Sequence, residues 1–332
     1  MTTRWGIAAT GGIAATFAQD LAHVPGAELA FVGSRSADSA ADFADRFGAP
    51  GSGTHAELLA AGRDGEVDVI YIATPHPQHH DLALAAIEGG TPVLVEKAFT
   101  ATLAGAQEVV DAARSAQVFC MEAMWTRFQP STALVRELVA AGDIGDVLLV
   151  QANFCAERDY DPTHRLFDLT LGGGSVLDLG VYPISFAQHL LGRPDGVTVT
   201  GTTYDNGADA SAAFHLSYDD GRAASLVSAL TAELPGRATV VGTKGSIELE
   251  PPFHHASRVV VRRHGQEAEV VERPATGRGY AHQAIEVQDC LAAGLTESAV
   301  MPLSDTLDVQ WVLEESLRQL GVEMAEGRVD LG

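Results

Sequence analysis

The sequence predicts a two-domain α/β protein, in which a doubly wound parallel sheet is followed by an α+β domain with a large, mostly antiparallel open sheet. Over about the first 125 residues, short apolar runs alternate with helix-length segments, as in βαβ units. Farther along, strand-like stretches follow one another at hairpin spacing, with a turn signal at Asp219–Gly221. The length of 332 residues is enough for two domains with cores of their own.

The first domain is predicted to alternate strands and helices. The strand candidates are nearly continuous apolar runs, which indicates burial on both faces of a parallel sheet: Trp5–Ala8, Leu29–Gly33, Val67–Ala73, Pro92–Val95 and Val118–Glu122. Between them, helical patterns cover Ile13–Val24, Ser39–Phe47, Pro77–Glu88 and Leu103–Ala116. The strand ends near Thr74 and Glu96 then lie at the carboxyl edge of the sheet, where open α/β sheets bind ligands.

The second domain is predicted to begin after Trp125. A helix over about Ser131–Ala141 leads into a strand at Val147–Cys155, and a helix over about Ser175–Leu191 follows a glycine cluster. Further strands are predicted at Val197–Tyr204, Ala210–Tyr218, Arg222–Leu230, Arg237–Val241, Ser246–Glu250 and Val259–Arg263, and final helices at Ala281–Ala293 and Asp305–Glu326. We therefore expect domains at 1–125 and 126–332, with packing of the last helix against the first domain as an alternative.

The charge and cysteine content restrict the partners and the compartment. A formal net charge of −23 repels phosphate backbones and anionic lipids, which disfavours nucleic acid and membrane partners. The cysteines, Cys120, Cys155 and Cys290, are widely spaced and no signal-peptide pattern opens the sequence, so we expect a cytoplasmic protein without disulfides. Lysine is rare, with Lys97 and Lys244 among 21 basic residues, which suggests that a retained lysine has a task arginine cannot perform.

A glycine-rich turn follows the first predicted strand. The sequence Ala9-Thr10-Gly11-Gly12-Ile13-Ala14 leads into a helix at a point where a dinucleotide fold needs backbone N–H groups facing a pyrophosphate. The usual G-x-G-x-x-A spacing would place glycines at 9 and 11, so Ala9 makes the match degenerate. The position inside a βαβ unit favours a dinucleotide site over the alternative, an ordinary glycine-rich turn without a ligand.

The end of the second predicted strand, Gly33-Ser34-Arg35-Ser36, bears on the choice of cofactor. An NAD site needs an acidic residue here for the ribose diol, whereas an arginine can hold a 2′-phosphate and stack on adenine. No acid occupies the strand end, so we expect NADP(H) in preference to NAD(H). Asp38 lies close to the strand end, so NAD(H) remains the alternative cofactor. The alternative for Arg35 is a solvated surface residue without a ligand.

Motifs along essentially the whole chain resemble those of the Gfo/Idh/MocA oxidoreductases. The family motifs are Thr74-Pro75, Val95-Glu96-Lys97, Met121–Phe128 and Leu177–Tyr182. Three further features make the chain most similar to the branch of dimeric dihydrodiol dehydrogenases and NADP-dependent D-xylose 1-dehydrogenases: His76–His80, Trp125–Phe128 and Tyr182. The chain departs from the family at Ala9 and at Ala98, where most relatives have a proline, often cis.

The resemblance implies a Rossmann domain, a C-terminal α/β domain whose open sheet mediates dimerisation, and a substrate between them. A homodimer is therefore expected, with a tetramer as the alternative. The resemblance also implies that Lys97 and Tyr182 are catalytic.

Asp178 and Tyr182 lie four residues apart on a predicted helix, so their side chains share one face. Hydride transfer between an alcohol and a ketone needs a group that takes or gives the hydroxyl proton. A free tyrosine, with a pKa near 10, is a poor base at neutral pH, and a nearby ammonium lowers that pKa. We therefore assign Tyr182 as acid/base, Lys97 as its electrostatic partner and substrate anchor, and Asp178 as an orienting acceptor. The alternative for the pair is an ordinary amphipathic helix.

The remaining candidates line the predicted crevice or its loops. We predict that the cofactor is bound by Thr10, Gly11, Gly12, Ile13, Ser34, Arg35, Thr74, Pro75, His76, His79, Glu96, Lys97, Trp125 and Arg127. We predict that the substrate is bound by Lys97, Trp125, Phe154, Arg158, His164, Asp178 and Tyr182. A solvated loop is the alternative for Arg158 and His164.

Two pairs among these candidates have other interpretations. Packing is the alternative for Trp125 and Arg127, because large side chains commonly fill domain seams. The H-x-x-H spacing of His76 and His79 fits a metal pair, but no third ligand is evident, so we expect no metal.

Taken together, the residues predict an NADP(H)-dependent dehydrogenase or reductase acting on CH–OH groups of a sugar, polyol or trans-dihydrodiol. Other redox chemistry of the family, on inositol or keto-sugars, is one alternative. The other is a non-catalytic dinucleotide-binding regulator, which the intact set of Lys97, Asp178 and Tyr182 disfavours.

Overall fold

The chain forms two compact units in the computed structural model, which describes residues 2–331. The first unit contains 2–125, 276–306 and 325–331, and the second contains 126–275 and 307–324. One boundary between the two units falls after Trp125. The segments 276–306 and 325–331, which we expected in the second domain, instead fold with the first unit.

The first unit is built on a six-stranded parallel sheet, β1 (Thr3–Ala8), β2 (Ala27–Gly33), β3 (Gly51–Gly53), β4 (Val69–Ile72), β5 (Val93–Glu96) and β6 (Cys120–Ala123). Its order, β3-β2-β1-β4-β5-β6, is that of a Rossmann sheet. The order reverses at β1, so the carboxyl ends of β1 and β4 flank the crevice where such sheets bind ligands. The predicted doubly wound sheet is confirmed.

Helices α1 (Gly12–Leu21), α2 (Ala37–Phe47), α3 (His55–Arg63), α4 (His79–Glu88) and α5 (Leu103–Ala116) connect these strands. The sequence analysis missed β3 and α3. β3 is three residues long, too short for a recognisable apolar run. The start of α3 did carry a signal, because Thr54 and Glu57 form a capping box in which each side chain accepts the other residue's backbone N–H.

The second unit is built on an eight-stranded sheet, β7 (Val147–Cys155), β8 (Gly196–Thr203), β9 (Asp209–Ser217), β10 (Ala223–Ala229), β11 (Ala238–Gly242), β12 (Gly245–Leu249), β13 (Arg258–Arg263) and β14 (Glu269–Glu272). Its order is β14-β13-β12-β11-β7-β10-β9-β8. β7 and β10 pair in parallel, and the other neighbours pair antiparallel, so the predicted sheet is confirmed. β14 was missed because its residues are mostly exposed and follow no apolar alternation.

Helices α6 (Pro130–Ala140) and α7 (Val181–Leu191) cover one face of this sheet: α7 packs on β7 and β10, and α6 on β12 and β13. Successive rows across the strands therefore differ in burial. The row facing the helices is buried: Ala152, Leu226 and Phe214. The next row faces away, is exposed and is polar: Gln151, Ser225 and His215.

A wide helical turn precedes α7. The sequence predicts one helix over about Ser175–Leu191, but Val176–Gly180 has π-helical bonding before α7 begins at Val181. Pro183 explains the change, because it lacks the N–H that an α-helix would pair with the carbonyl of Leu179. Asp178 lies in the wide turn, and Tyr182 lies in the first turn of α7.

The C-terminal helices are α8 (Ala281–Ala292) and α9 (Leu303–Leu320). α8 packs against α1, and the buried carboxylate of Asp20 in α1 accepts the backbone N–H groups of Arg278 and Tyr280. This bonding explains why 276–306 folds with the first unit. No helix among residues 2–331 is both long and apolar enough to span a bilayer.

The last helix is shorter than predicted. α9 ends at Leu320 rather than near Glu326, because Gly321 takes a positive φ of +74°, a conformation that ends helices. The residues that follow are irregular. Glu326 accepts the backbone N–H of Thr102 at 2.8 Å and the hydroxyl of Thr102 at 2.7 Å, which attaches the C-terminal segment to the first unit.

Candidate active site

The loop before α1 leaves open space at the start of the helix. Gly11 is the N-cap residue, no side chain caps the helix, and a Cβ placed on Gly11 or Gly12 would meet no atom within 4 Å. Thr10 and Ile13 flank this space and are half-buried. Ala9 has a φ of +136°, in the region that favours glycine. An unfilled cradle at a helix N-terminus suits an anionic group such as a pyrophosphate.

A cavity of about 380 Å³ lies beyond the end of β2. Its wall joins the strand end, the start of α3 and C-terminal residues: Ser34, Arg35, Thr54, His55, Ala56, Gln78, Arg328, Val329 and Asp330. The strand end thus contributes a hydroxyl and a guanidinium but no carboxylate. Asp38, on which the NAD(H) alternative depends, lies in the first turn of α2 and does not line this cavity.

The segment after β4 holds a buried hydroxyl. The Thr74 Oγ1 is buried without a hydrogen-bond partner, at the carboxyl end of a strand that flanks the crevice. Pro75 caps a short helical turn over His76–Gln78, and the buried His76 ring packs edge-on against His79 at 5.8 Å. Thr74 can therefore donate to or accept from a ligand.

His79 connects the ends of β4 and β5. Its Nε2 lies 2.7 Å from the carbonyl oxygen of Thr74, and its Nδ1 lies 3.1 Å from that of Ala98. The ring is fully buried, which lowers its pKa to about 4. Both ring nitrogens contact backbone carbonyl oxygens, so the role of His79 is to hold the segment after Lys97. Among residues 2–331, no group of three potential metal ligands occurs.

Lys97 follows β5 directly. The preceding carboxylate, Glu96, is buried and accepts the Tyr71 hydroxyl at 2.5 Å and the backbone N–H of Lys97 at 3.1 Å. The peptide bond between Lys97 and Ala98 is cis. The backbone therefore takes the cis form at this position although alanine stands in place of the proline that most relatives have. The lysine side chain is half-buried at the carboxyl edge of the sheet.

Trp125 lies just beyond β6 and is buried. Its ring stacks on Tyr280 with centroids 4.4 Å apart and an interplanar angle of 20°. Tyr280 was missed because it lies far away in sequence, just before α8. This stacking supports the packing interpretation for one face of Trp125.

Asp178 is paired with Arg165, which the predicted set of substrate-binding residues did not include. Arg165 lies in the loop that follows β7, and its Nη1 is 3.3 Å from the Asp178 Oδ1. The Asp178 carboxyl is 14% exposed and the Arg165 guanidinium side chain 54% exposed. The pair therefore faces solvent on the arginine side, where a polar substrate could reach it.

Tyr182 sits among aromatic rings. Phe154 and His254 stack at 4.2 Å, and the Tyr182 ring lies 5.1 Å from Phe154 and 5.7 Å from His254. His254 was missed, because it lies in a short turn after β12 with no motif around it. Within the second unit, the fold thus brings the predicted Phe154 and Tyr182 into contact.

A buried carboxylate supports the turn that carries Asp178. The Asp209 Oδ2 accepts the backbone N–H of Val176 at 2.7 Å and the hydroxyl of Ser175 at 2.8 Å. Asp209 is fully buried, which raises its pKa to about 6. Its hydrogen bonds to Ser175 and Val176 hold the start of the turn in position.

Arg127 is a correction to the predicted cofactor set. It is 2% exposed, its Nε donates to the hydroxyl of Ser185 at 3.0 Å, and its Nη2 donates to the Gln188 Oε1 at 2.6 Å. A guanidinium buried in this way against α7 belongs to the core of the second unit. The packing alternative accounts for Arg127.

Arg158 and His164 lie in the exposed loop after β7. Arg158 donates to the neighbouring carbonyl of Glu157, and the His164 Nδ1 accepts the backbone N–H of Leu166 at 3.3 Å. Both contacts stay within the loop, which supports the solvated-loop interpretation for both residues.

The first-unit features fit a nicotinamide dinucleotide. The cradle at Gly11 and Gly12 suits the pyrophosphate, the cavity beside Arg35 suits the adenosine ribose, and the unpartnered Thr74 hydroxyl lies at the strand end toward the other half of the crevice.

Comparison with known families gives two matches in order along the chain. A model described as "Oxidoreductase family, NAD-binding Rossmann fold" matches residues 3–124, and a model of the GFO/IDH/MocA C-terminal domain matches residues 132–248.

Among individual proteins, the chain is 33% identical to trans-1,2-dihydrobenzene-1,2-diol dehydrogenase of Xenopus tropicalis, over 97% of this chain and 99% of that protein. It is 34% identical to the D-xylose 1-dehydrogenase (NADP(+)) of Hypocrea jecorina, over 98% and 94%. Among solved structures, the aldose-aldose oxidoreductase of Caulobacter crescentus, complexed with glycerol, aligns with a TM-score of 0.88 at 23% identity, over 97% and 98%.

Proposed function

The chain belongs to the Gfo/Idh/MocA oxidoreductases, and we propose that it transfers a hydride between NADP(H) and a hydroxyl-bearing carbon of a sugar, polyol or trans-dihydrodiol. The observation that carries the proposal is similarity over nearly the full length to two differently named dehydrogenases. Both names describe oxidation at a hydroxyl-bearing carbon, which sets the reaction class and leaves the substrate to be found within it.

The preference for NADP(H) over NAD(H) rests on Arg35. Its guanidinium lies in the cavity wall at the end of β2, where this strand contributes no carboxylate to bind a ribose diol. A protein with a net charge of −23 needs local cations to hold a phosphate dianion, and Arg35 supplies one. A similar relative carries NADP(+) in its name.

Each catalytic role follows from side-chain chemistry. We assign Tyr182 to hold and move the proton of the substrate hydroxyl, and Asp178 to orient that hydroxyl as an acceptor. We assign Lys97 as the electrostatic partner of the tyrosine and as the anchor of a substrate oxygen. When bound, the nicotinamide ring supplies or accepts the hydride.

We also propose a homodimer and a cytoplasmic location. An open sheet face needs a covering, and the exposed polar row on β7, β9 and β10 would lie in such an interface. Buried free thiols at Cys120, Cys155 and Cys290 suit a reducing compartment.

Cofactor titration followed by turnover assays tests the proposal. The purified protein is titrated with NADPH and NADH, then assayed against aldoses, polyols and dihydrodiols, with D-xylose and trans-1,2-dihydrobenzene-1,2-diol first. We expect tighter NADPH binding and turnover of at least one compound. Binding without turnover of any compound would favour the regulator, and no binding of either nucleotide would overturn the proposal.

A further inference from the structure

The C-terminal segment 326–330 runs past the cavity at the end of β2 and is attached on both sides of Arg328. Glu326 accepts the backbone N–H of Thr102. The Gly327 N–H donates to the carbonyl of Pro77 at 2.7 Å, and the Val329 N–H donates to the Asp81 Oδ2 at 3.1 Å. The backbone of Arg328 is therefore held at the cavity edge, although no helix or strand includes it.

The Arg328 side chain is held far more loosely than its backbone. It is 92% exposed, and its Nη1 lies 3.4 Å from the Asp81 Oδ1, a long ion pair in solvent that contributes little. Arg328 lines the same cavity wall as Arg35. Its guanidinium can therefore leave Asp81 for a stronger anion in the cavity at small cost.

The inner wall of the cavity also suits an anion. α3 begins here, so its first N–H groups and the positive end of its dipole face this region. His55, the first residue of α3, lines the cavity, is 3% exposed, and has a buried Nδ1 without a hydrogen-bond partner. Burial first, and then the charge of Arg35, lower the pKa of His55 and so favour its neutral form.

We propose that the segment 326–330 forms the outer wall of the 2′-phosphate subsite, where Arg328 acts as a second guanidinium beside Arg35 in selecting NADP(H) over NAD(H). This inference rests on the proposed function, since it assigns a residue to the cofactor site proposed there. Two arginines that line one cavity can each form charge-assisted hydrogen bonds with one phosphate.

The same segment also carries an opposing charge. Asp330 lines the cavity, and a carboxylate there repels a phosphate dianion. Arg328 and Asp330 thus act with opposite signs on 2′-phosphate affinity. This gives a pair of substitutions in one segment with opposite expected outcomes.

The test is binding of adenosine fragments to the full chain, measured by calorimetry without turnover. 2′,5′-ADP carries the 2′-phosphate and 5′-AMP lacks it. We expect the wild type to prefer 2′,5′-ADP. Arg328→Ala should weaken 2′,5′-ADP binding about tenfold and leave 5′-AMP binding within about twofold, in line with the loss of one charged hydrogen bond. Asp330→Asn should strengthen 2′,5′-ADP binding.

Two further variants control for general effects. Arg63→Ala removes the same charge from the far end of α3, roughly 12 Å away at 1.5 Å per residue, and should leave both affinities unchanged. Glu326→Ala releases the segment while keeping Arg328, and should weaken 2′,5′-ADP binding as Arg328→Ala does.

The outcomes separate this inference from the proposed function. If the wild type does not prefer 2′,5′-ADP, the proposed NADP(H) preference fails. If it does, and Arg35→Ala removes the preference while Arg328→Ala does not, the role of Arg328 is overturned and the proposed function stands. Equal losses in Arg328→Ala and Arg63→Ala would likewise overturn it, since the effect would then come from overall charge.

Discussion

The guanidinium of Arg165 lies 3.3 Å from the carboxylate of Asp178 and links the loop after β7 to the wide turn before α7. An ion pair as exposed as this one contributes at most about 1 kcal/mol to stability. Its importance is therefore positional, because it restrains the carboxylate that we assign to orient the substrate hydroxyl.

Arg165→Ala should lower kcat/KM for the carbonyl or hydroxyl substrate about tenfold and leave the free energy of unfolding within about 1 kcal/mol of the wild type. The reason is that Asp178 loses a partner that limits its rotation. Steady-state kinetics and urea unfolding measure the two effects. Arg258→Ala, which breaks exposed ion pairs with Glu250 and Glu272, is the control and should change neither. Unchanged kcat/KM in Arg165→Ala would refute the positioning role.

Tyr182→Phe should lower kcat by roughly 10²–10⁴-fold, the usual contribution of a general acid or base, with little change in NADPH affinity. The Phe ring keeps the packing against Phe154, so the fold should persist. Tyr218→Phe is a matched control, because this buried tyrosine hydroxyl donates to the carbonyl of Gly192 and its loss should cost about 1 kcal/mol of stability without affecting kcat. A fully active Tyr182→Phe enzyme would remove the residue from the mechanism.

Ala9→Gly should raise the free energy of unfolding or leave it unchanged, within about 1 kcal/mol. An alanine at a φ of +136° is strained, and glycine relieves that strain at the cost of a more flexible unfolded chain. Ala15→Gly in the middle of α1 is the control and should cost about 1 kcal/mol, as glycine does in helices. Equal losses in the two variants, measured by urea unfolding, would show that Ala9 is unstrained.

Lowering the pH from about 6.5 toward 4.5 should destabilise the fold. Burial lowers the pKa of His79 to about 4 and that of His189 to about 3, so the unfolded chain binds protons in this range that the folded chain does not. Each such histidine lowers the free energy of unfolding by up to about 1.4 kcal/mol per pH unit as the pH falls. Asp209 has the opposite effect on stability. Its pKa is raised to about 6 in the folded chain, which therefore retains a proton that the unfolded chain loses, and this offsets the contribution of one histidine.

Denaturant unfolding at several pH values, in wild type and His189→Gln, measures this slope. Removing one titrating histidine should flatten the pH dependence by up to about 1.4 kcal/mol per unit. His215→Gln, which replaces an exposed histidine on the outer row of the sheet, should leave the slope unchanged. The same slope in His189→Gln as in wild type would contradict the assignment.

The elements predicted from the sequence are those with strong local signals, whereas weaker local signals were overlooked. Buried strands such as Val93–Glu96 have continuous apolar runs, so their positions could be inferred directly. The wide turn before α7 depends on the missing N–H of Pro183, a local signal that was present but overlooked. Gly321 likewise marked the end of α9.

The site residues divide in the same way. Lys97, Asp178 and Tyr182 could be singled out because motifs surround them. Tyr280 and His254 could not, since each reaches its aromatic partner through the tertiary fold and has no motif of its own. Arg127 was misassigned for a related reason. It belongs to a motif beside the predicted crevice, but its side chain turns toward α7, and no local pattern in the sequence indicates that direction.

The first unit is discontinuous in sequence, because 276–306 and 325–331 complete it. During translation, the strands of this unit are made before the segments that complete it. Asp20 bonds to Arg278 and Tyr280, and Thr102 at the start of α5 bonds to Glu326, and these partners are made much later. At usual elongation rates of about 5–20 residues per second, this delay is roughly 10–50 s. A nascent chain therefore carries an incomplete nucleotide-binding unit until residues 276–306 and 325–331 have been made.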